Sequence, residues 1–223
     1  MKLPRAFYDR PTLDVARDLI GKVLVHRGPG GATAGIIVEV EAYIGESDPA
    51  CHAAPGPTRR NQPLYGPPGF AYVYLNYGVH NLFNVVTEAD GRPAAVLVRA
   101  LLPIEGVDVM RRRRAPDRRG SGEIPEHELC RGPGSLARAM GIALSDNRED
   151  LCGARIWLED RGIACADLSW SSRVGIHVGT EHQWRCYLTG CPAVSAQPRP
   201  STRRPAERRR AAARRGRRRS GPR

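Results

Sequence analysis

Residues 33–43 read TAGIIVEVEAY, and Ile44 and Gly45 complete the run. Apolar and acidic residues alternate here with the period of a half-buried strand, not with the 3.6-residue period of a helix. Strict alternation puts Ile36, Val38 and Val40 on one face, and Ile37, Glu39, Glu41 and Tyr43 on the other. Upstream, KVLVHR (22–27) and the turn GPGG (28–31) predict a partner strand joined by a hairpin. Downstream, PGFAYVYLNY (68–77) and VHNLFNVVTE (79–88) predict a second hairpin, and AAVLVRALL (94–102) a further strand. Late strands are expected in ARIWLED (154–160) and WRCYLTG (184–190). Helices are expected in TLDVARDLIGK (12–22), with Thr12 as cap and Gly21 as stop, and in PIEGVDVMRRRR (103–114) and GPGSLARAMGI (132–142). In the last two, Pro103 and Pro133 would occupy the first turns. Strands joined by hairpins, with helices between groups of them, predict an α+β domain on a mostly antiparallel sheet.

The chain has 223 residues and a net charge of +12, a length suited to one well-cored domain. Residues 198–223 hold 12 Arg against one Glu, so +11 of that charge lies in the tail and +1 is left for residues 1–197. The tail has no aromatic or large aliphatic residue to bury, which predicts disorder. Such a tail either attracts polyanions without sequence preference, nucleic acid above all, or is a solvated extension. Six cysteines occur without CxxC or zinc-type spacing, so no metal is expected. The start MKLPRAFYDRP has no apolar signal core, and no run approaches a membrane span, so a cytoplasmic protein with reduced thiols and no membrane partner is expected.

Four features could carry chemistry. Glu39 and Glu41 share a strand face with Tyr43, and such carboxylates are either solvated on an open face or desolvated and paired. Arg99 alternates with Ala95, Leu97 and Leu101, needs an anion in that setting, and would be satisfied by Glu41 as a catalytic or a structural pair. The long Gly/Pro-rich connection 45–69 presents His52, Arg59, Arg60 and Asn61. Tyr77 stands at the hairpin reversal before Gly78, where it either packs beside its own loop or projects as an aromatic wedge.

The blocks VEVEAYIGESDPACH (38–52), RRNQPLYGPPGFAYVYLNYGVHNLFNVV (59–86), AAVLVRALLPIEGVDVMR (94–111) and LCRGPGSLARAMGI (129–142) resemble the alkyladenine (3-methyladenine, methylpurine) DNA glycosylase family. The likeness runs in order from about residue 7 to about residue 196 and leaves out the Arg-rich tail. It implies a single mixed domain, residues 1–197, on a curved antiparallel sheet whose protruding hairpin enters the DNA minor groove. It also implies a monomer that hydrolyses the N-glycosidic bond of damaged purines in double-stranded DNA without a cofactor. By this resemblance Glu41 is the general base that activates water, Arg99 its water-binding partner, and the carbonyl of Val174 the third contact to that water. Tyr43, His52 and Tyr74 would wall the pocket of the flipped base, Asn84 would clash with the 2-amino group of normal guanine, and Tyr77 would intercalate. Ser135 stands where the family often has lysine, His80 where it often has an aromatic residue, and Cys186 where it often has Phe. Phosphate contacts are expected from the cluster at 110–120 and from the helix start near Arg131. The only lysines are Lys2 and Lys22, which argues against a Schiff-base step. The competing expectation is a noncatalytic basic protein that binds nucleic acid through its tail.

Overall fold

Strand β2, Gly31–Ile44, is the spine of the molecule. The computed structural model describes residues 1–117 and 122–195, so the predicted tail 198–223, its expected disorder and part of the 110–120 cluster lie outside the described residues. One edge of β2 is shared. Its first half pairs with β1 (Val23–Gly28) and residues Glu39–Glu41 pair with β8 (Arg185–Leu188). The other edge is covered by β5 (Ala94–Glu105), followed outward by β4 (His80–Val86) and β3 (Ala71–Asn76). Strand β6 (Ile156–Glu159) extends the sheet beyond β1, and β7 (Leu168–Ser171) pairs with β8. All these pairings are antiparallel, and the sheet curls around one core, giving the expected single α+β domain.

Helix α1 (Arg5–Tyr8) precedes α2 (Thr12–Leu19), and α3 (Val107–Arg114) and α4 (Pro133–Met140) follow β5. Val15, Ala16 and Leu19 from α2 pack with Leu136, Ala137 and Met140 from α4 against the inner sheet face, where Ile37, Val40, Val98 and Leu101 are fully or almost fully buried. That face is built from a break in alternation that strict period-2 reading misses. Ile37 pairs with Leu101 and Val40 with Val98, and both pairs enter the same core although they stand three positions apart, an odd number, on each strand. The register slips on both strands at once, between Ile37 and Val40. Val38 and Ala100 are thereby sent to a cluster on the opposite side, along with Glu39 and Arg99. Ile37 and Leu101 therefore do not share a face with the charged residues, contrary to expectation.

Two helix boundaries also differ. Thr12 is the first residue of α2 and its hydroxyl donates to Glu88, so it is not the cap. Pro103 belongs to β5, where it pairs with Gly35, and α3 begins only after Gly106. Gly106 has φ 68°, and a Cβ there would run into the Ala32 carbonyl, so the turn requires glycine. Helix α4 starts at Pro133 as expected and stops at Gly141, φ 75°. Its last carbonyls, Ala139 and Met140, accept hydrogen bonds from Arg113. Arg114 likewise donates to the carbonyls of Glu128 and Leu129. Two arginines of the predicted phosphate cluster thus hold the fold together.

Candidate active site

The register slip and the fork at the β1/β8 junction bring four charges together. Glu39 and Glu41 have no exposed surface, and Arg99 and Arg185 are almost completely buried. Arg99 Nε donates to Glu39 Oε1 at 2.9 Å and its Nη1 to Glu41 Oε2 at 3.2 Å. The two carboxylates differ in what else they accept. Glu39 Oε1 also receives Arg185 Nε at 2.8 Å and the Ser195 hydroxyl at 2.9 Å, while Oε2 takes the Ser195 N–H at 2.6 Å. Glu39 thus takes four donors, three of them on Oε1, which locks it in place. Burial alone would raise its pKa, but Arg99, the Ser195 N–H and Arg185 together hold it below the ordinary value.

Among the described residues Glu41 accepts from three groups: the Val174 N–H at 2.7 Å, the Tyr43 hydroxyl at 2.9 Å and Arg99. One acceptor position therefore remains for a further donor. Tyr43, Arg99 and Val174 all line a cleft of about 500 Å³, which places Glu41 just beneath the cleft floor. Burial, and then the Glu41 charge, push the Tyr43 hydroxyl pKa upward, so it stays a donor at neutral pH. Buried Arg99 would lose basicity by desolvation, but Glu41 and Glu39 more than restore it.

Aromatic rings form the cleft walls. His52 and Tyr74 meet edge to face at 4.5 Å between centroids, and Tyr72 lies 5.3 Å from Tyr74. His52 is fixed by Nδ1 against the Tyr72 hydroxyl at 2.9 Å. Burial, helped by Arg60, lowers the imidazole pKa and favours the neutral ring. Burial likewise raises the Tyr74 hydroxyl to about 12. The connection 45–69 reaches this wall because Asn61 ties it back, its Nδ2 donating to the carbonyls of His52 at 2.7 Å and Gly56 at 2.9 Å. Asn61 is thus a brace, and Arg59 and Arg60 are exposed. Asn84, on the cleft side of β4, donates to the Tyr72 carbonyl at 2.9 Å, which sets the orientation of its amide.

The hairpin β3–β4 stands at the cleft mouth. Tyr77 has φ 49° and Gly78 φ 70°, with the Val79 N–H bonded to the Asn76 carbonyl. Positive φ at both central positions is the mark of a type I′ turn, where glycine or asparagine is usual. A tyrosine there is strained, and its ring is 89% exposed. Val79 beside it is 71% exposed, so an apolar tip projects to solvent. His80 packs against α4, where a Cβ on Gly134 would meet its ring at 2.8 Å.

All eight residues proposed from sequence converge on this one region, Tyr77 at its rim. Val174 reaches Glu41 through its N–H, a contact the sequence reading did not foresee. Also missed were Arg185 and Ser195, which donate to Glu39, and Arg173 with Asp48, which back Tyr43. Arg185 sits in a predicted strand between apolar neighbours, the same signal that singled out Arg99. Arg131 donates to the Val194 carbonyl at 3.0 Å and pairs with Glu128, and its side chain is still partly exposed. Among the described residues no group of His, Cys, Asp and Glu could hold a metal ion, and no helix is long and apolar enough to cross a membrane.

Comparison with known proteins shows what the chain is similar to. Residues 6–192 match the model of the methylpurine-DNA glycosylase family. A relative from Methanocella arvoryzae, named "Putative 3-methyladenine DNA glycosylase", is 49% identical over 197 residues, covering 86% of this chain and 95% of the relative. Relatives of the same name from Alkaliphilus oremlandii and Chlorobaculum parvum are each 43% identical, covering 87% of this chain and 99% and 90% of their own lengths.

Proposed function

The chain belongs to the methylpurine-DNA glycosylase family, hydrolases of N-glycosidic bonds in DNA base-excision repair, and we propose that it releases alkylated and deaminated purines from duplex DNA with one water activated by Glu41. A base inside the stack cannot be attacked, so the nucleotide is extruded into the cleft and Tyr77 fills the gap it leaves. Tyr43, His52 and Tyr74 then hold the base, and Asn84 discriminates against the 2-amino group of guanine. Water donates to the remaining acceptor position of Glu41, loses its proton there and bonds to the sugar C1′. The C1′–N bond breaks at the same time, and its electron pair leaves with the purine. A base alkylated at N3 or N7 carries a positive charge and departs readily, so no covalent nucleophile is required. Lys2 and Lys22 are not among the cleft-lining residues.

The observation that carries this proposal is the difference between the two carboxylates. Glu39 has four donors and is an anchor, whereas Glu41 has three and lies beneath the cleft. A noncatalytic nucleic-acid binder has no use for that distinction. We take residues 1–197 as the catalytic unit, acting as a monomer on double-stranded DNA, and residues 198–223 as an added attraction for phosphates. The test is single-turnover release from duplexes carrying one hypoxanthine or one 7-methylguanine. Glu41→Gln should lose about 10²–10⁴-fold on both. Activity equal to the parent, or no release by the parent, rules the mechanism out.

A further inference from the structure

Tyr43 has two faces, and only one looks into the cleft. Over the ring lies the guanidinium of Arg173, 4.6 Å from the centroid, and Arg173 is not among the cleft-lining residues. The same guanidinium lies 5.1 Å from the Trp184 ring, which is stacked on His182 at 4.0 Å and 6°. Arg173 also donates to the Ala42 carbonyl at 3.0 Å, so the cation is fixed behind the wall rather than free to swing away. Its counter-ion is Asp48, bidentate at 2.5 and 2.7 Å, and neither side chain has any exposed surface.

The arrangement matters because a ring polarised by a cation on one face is a poor partner for a second cation on the other. An alkylated purine is such a second cation. An ordinary contact distance of about 3.5 Å in front of the ring, added to the 4.6 Å behind it, puts the two charges about 8 Å apart. With an effective dielectric of about 20, an uncompensated Arg173 would weaken a cationic base roughly thirtyfold relative to a neutral one. Asp48 stands close enough to the guanidinium to cancel most of that field. Burial alone would raise the Asp48 pKa, but its bonds to Arg173 and to the Ala50 N–H hold it below the usual carboxylate range.

We propose that Asp48 and Arg173 set the preference of this enzyme between cationic and neutral bases: Arg173 props the Tyr43 ring, and Asp48 cancels the charge that would otherwise repel an alkylated purine through it. Asp48 is thus a specificity-determining residue that touches no substrate. The inference rests on the glycosylase mechanism above, in which Tyr43 faces the flipped base.

The test uses the full chain and two duplexes, one carrying 7-methylguanine and one hypoxanthine, read as the ratio of their single-turnover rates and of their dissociation constants. Asp48→Asn leaves the cation behind the ring and should lower the cationic-to-neutral ratio about tenfold. Arg173→Gln leaves the anion and should raise it. The double variant should return to within about threefold of the parent. That signed pattern cannot come from loosened packing, which would lower both rates together. A common loss in Asp48→Asn with an unmoved ratio overturns the inference and leaves the glycosylase mechanism standing. If Asp48→Asn does not fold, as judged by its melting curve, Arg173→Gln decides, since an unchanged ratio there is equally fatal. A parent that releases neither base removes the mechanism and this inference with it.

Discussion

Replacing Glu39 by Gln tests whether the two buried carboxylates have separate tasks. Gln removes one charge and one acceptor from a group with no exposed surface and four donors. The amide cannot accept from Arg99, Arg185 and both Ser195 groups at once, so buried donors lose partners. Breaking a buried ion pair from one side costs about 3–5 kcal/mol. For a domain of this size each kcal/mol moves Tm by about 2–4 °C, so the melting point should fall by about 6–20 °C. Glu41→Gln should cost less, because Arg99 keeps Glu39 while Glu41 gives up only three donors. The pH dependence supplies a second check. The folded Glu39 pKa lies below its ordinary value of 4.5, so its contribution is fully present above that pH and is lost as the pH falls through the folded value. Urea midpoints of parent and Glu39→Gln should therefore converge on acidification below about pH 4.5 and stay apart above it. If Glu41→Gln is the more destabilised, or if the Glu39→Gln gap does not change with pH, the division into anchor and base is wrong.

Two further outcomes follow from the cleft rim and wall. Tyr77→Asn suits the positive φ at that position better than tyrosine and should raise stability by up to about 1 kcal/mol in urea titration. On duplex substrate it should nonetheless lose at least about tenfold in single-turnover rate, with single-stranded DNA affected less; equal loss on both removes the wedge. His52 has a folded pKa below its ordinary 6.5, so the native state binds fewer protons and stability falls as the pH drops below about 6.5 toward the folded value. His52→Gln should flatten that part of the stability profile, and an unchanged slope assigns it to other groups.

The sheet was legible because β2 carries the alternating run VEVEAY and its hairpin partners carry turn residues at the right spacing. The pairing of Arg99 with Glu41 was legible too, since a desolvated guanidinium in a strand requires an anion. The simultaneous slip of β2 and β5 was not, because each strand looks regular by itself and the distortion exists only in their pairing. Strand β7, LSWS, is four residues long and only partly buried, too brief to show a period. Pro103 looked like a helix start because proline suits both a first helical turn and a strand position whose N–H is not needed. The groups around the carboxylates come from Val174, Arg185 and Ser195, more than 130 residues from Glu39 and Glu41, and no local pattern reports a contact of that span.

The distribution of these contacts along the chain has a consequence for when the enzyme is able to react. The Glu39–Glu41–Arg99 cluster is completed by the backbone at Val174, the side chain at Arg185 and both groups of Ser195. A growing polypeptide that has not yet delivered Ser195 holds the acids without their full set of donors. A mature molecule whose β8 has frayed from β2 is in the same condition. Cutting a glycosidic bond leaves a lesion in the genome, and a half-assembled enzyme that cut would be a hazard. By drawing the proposed reactive centre from distant parts of the domain, the chain would make chemical competence report on whether the whole fold is closed.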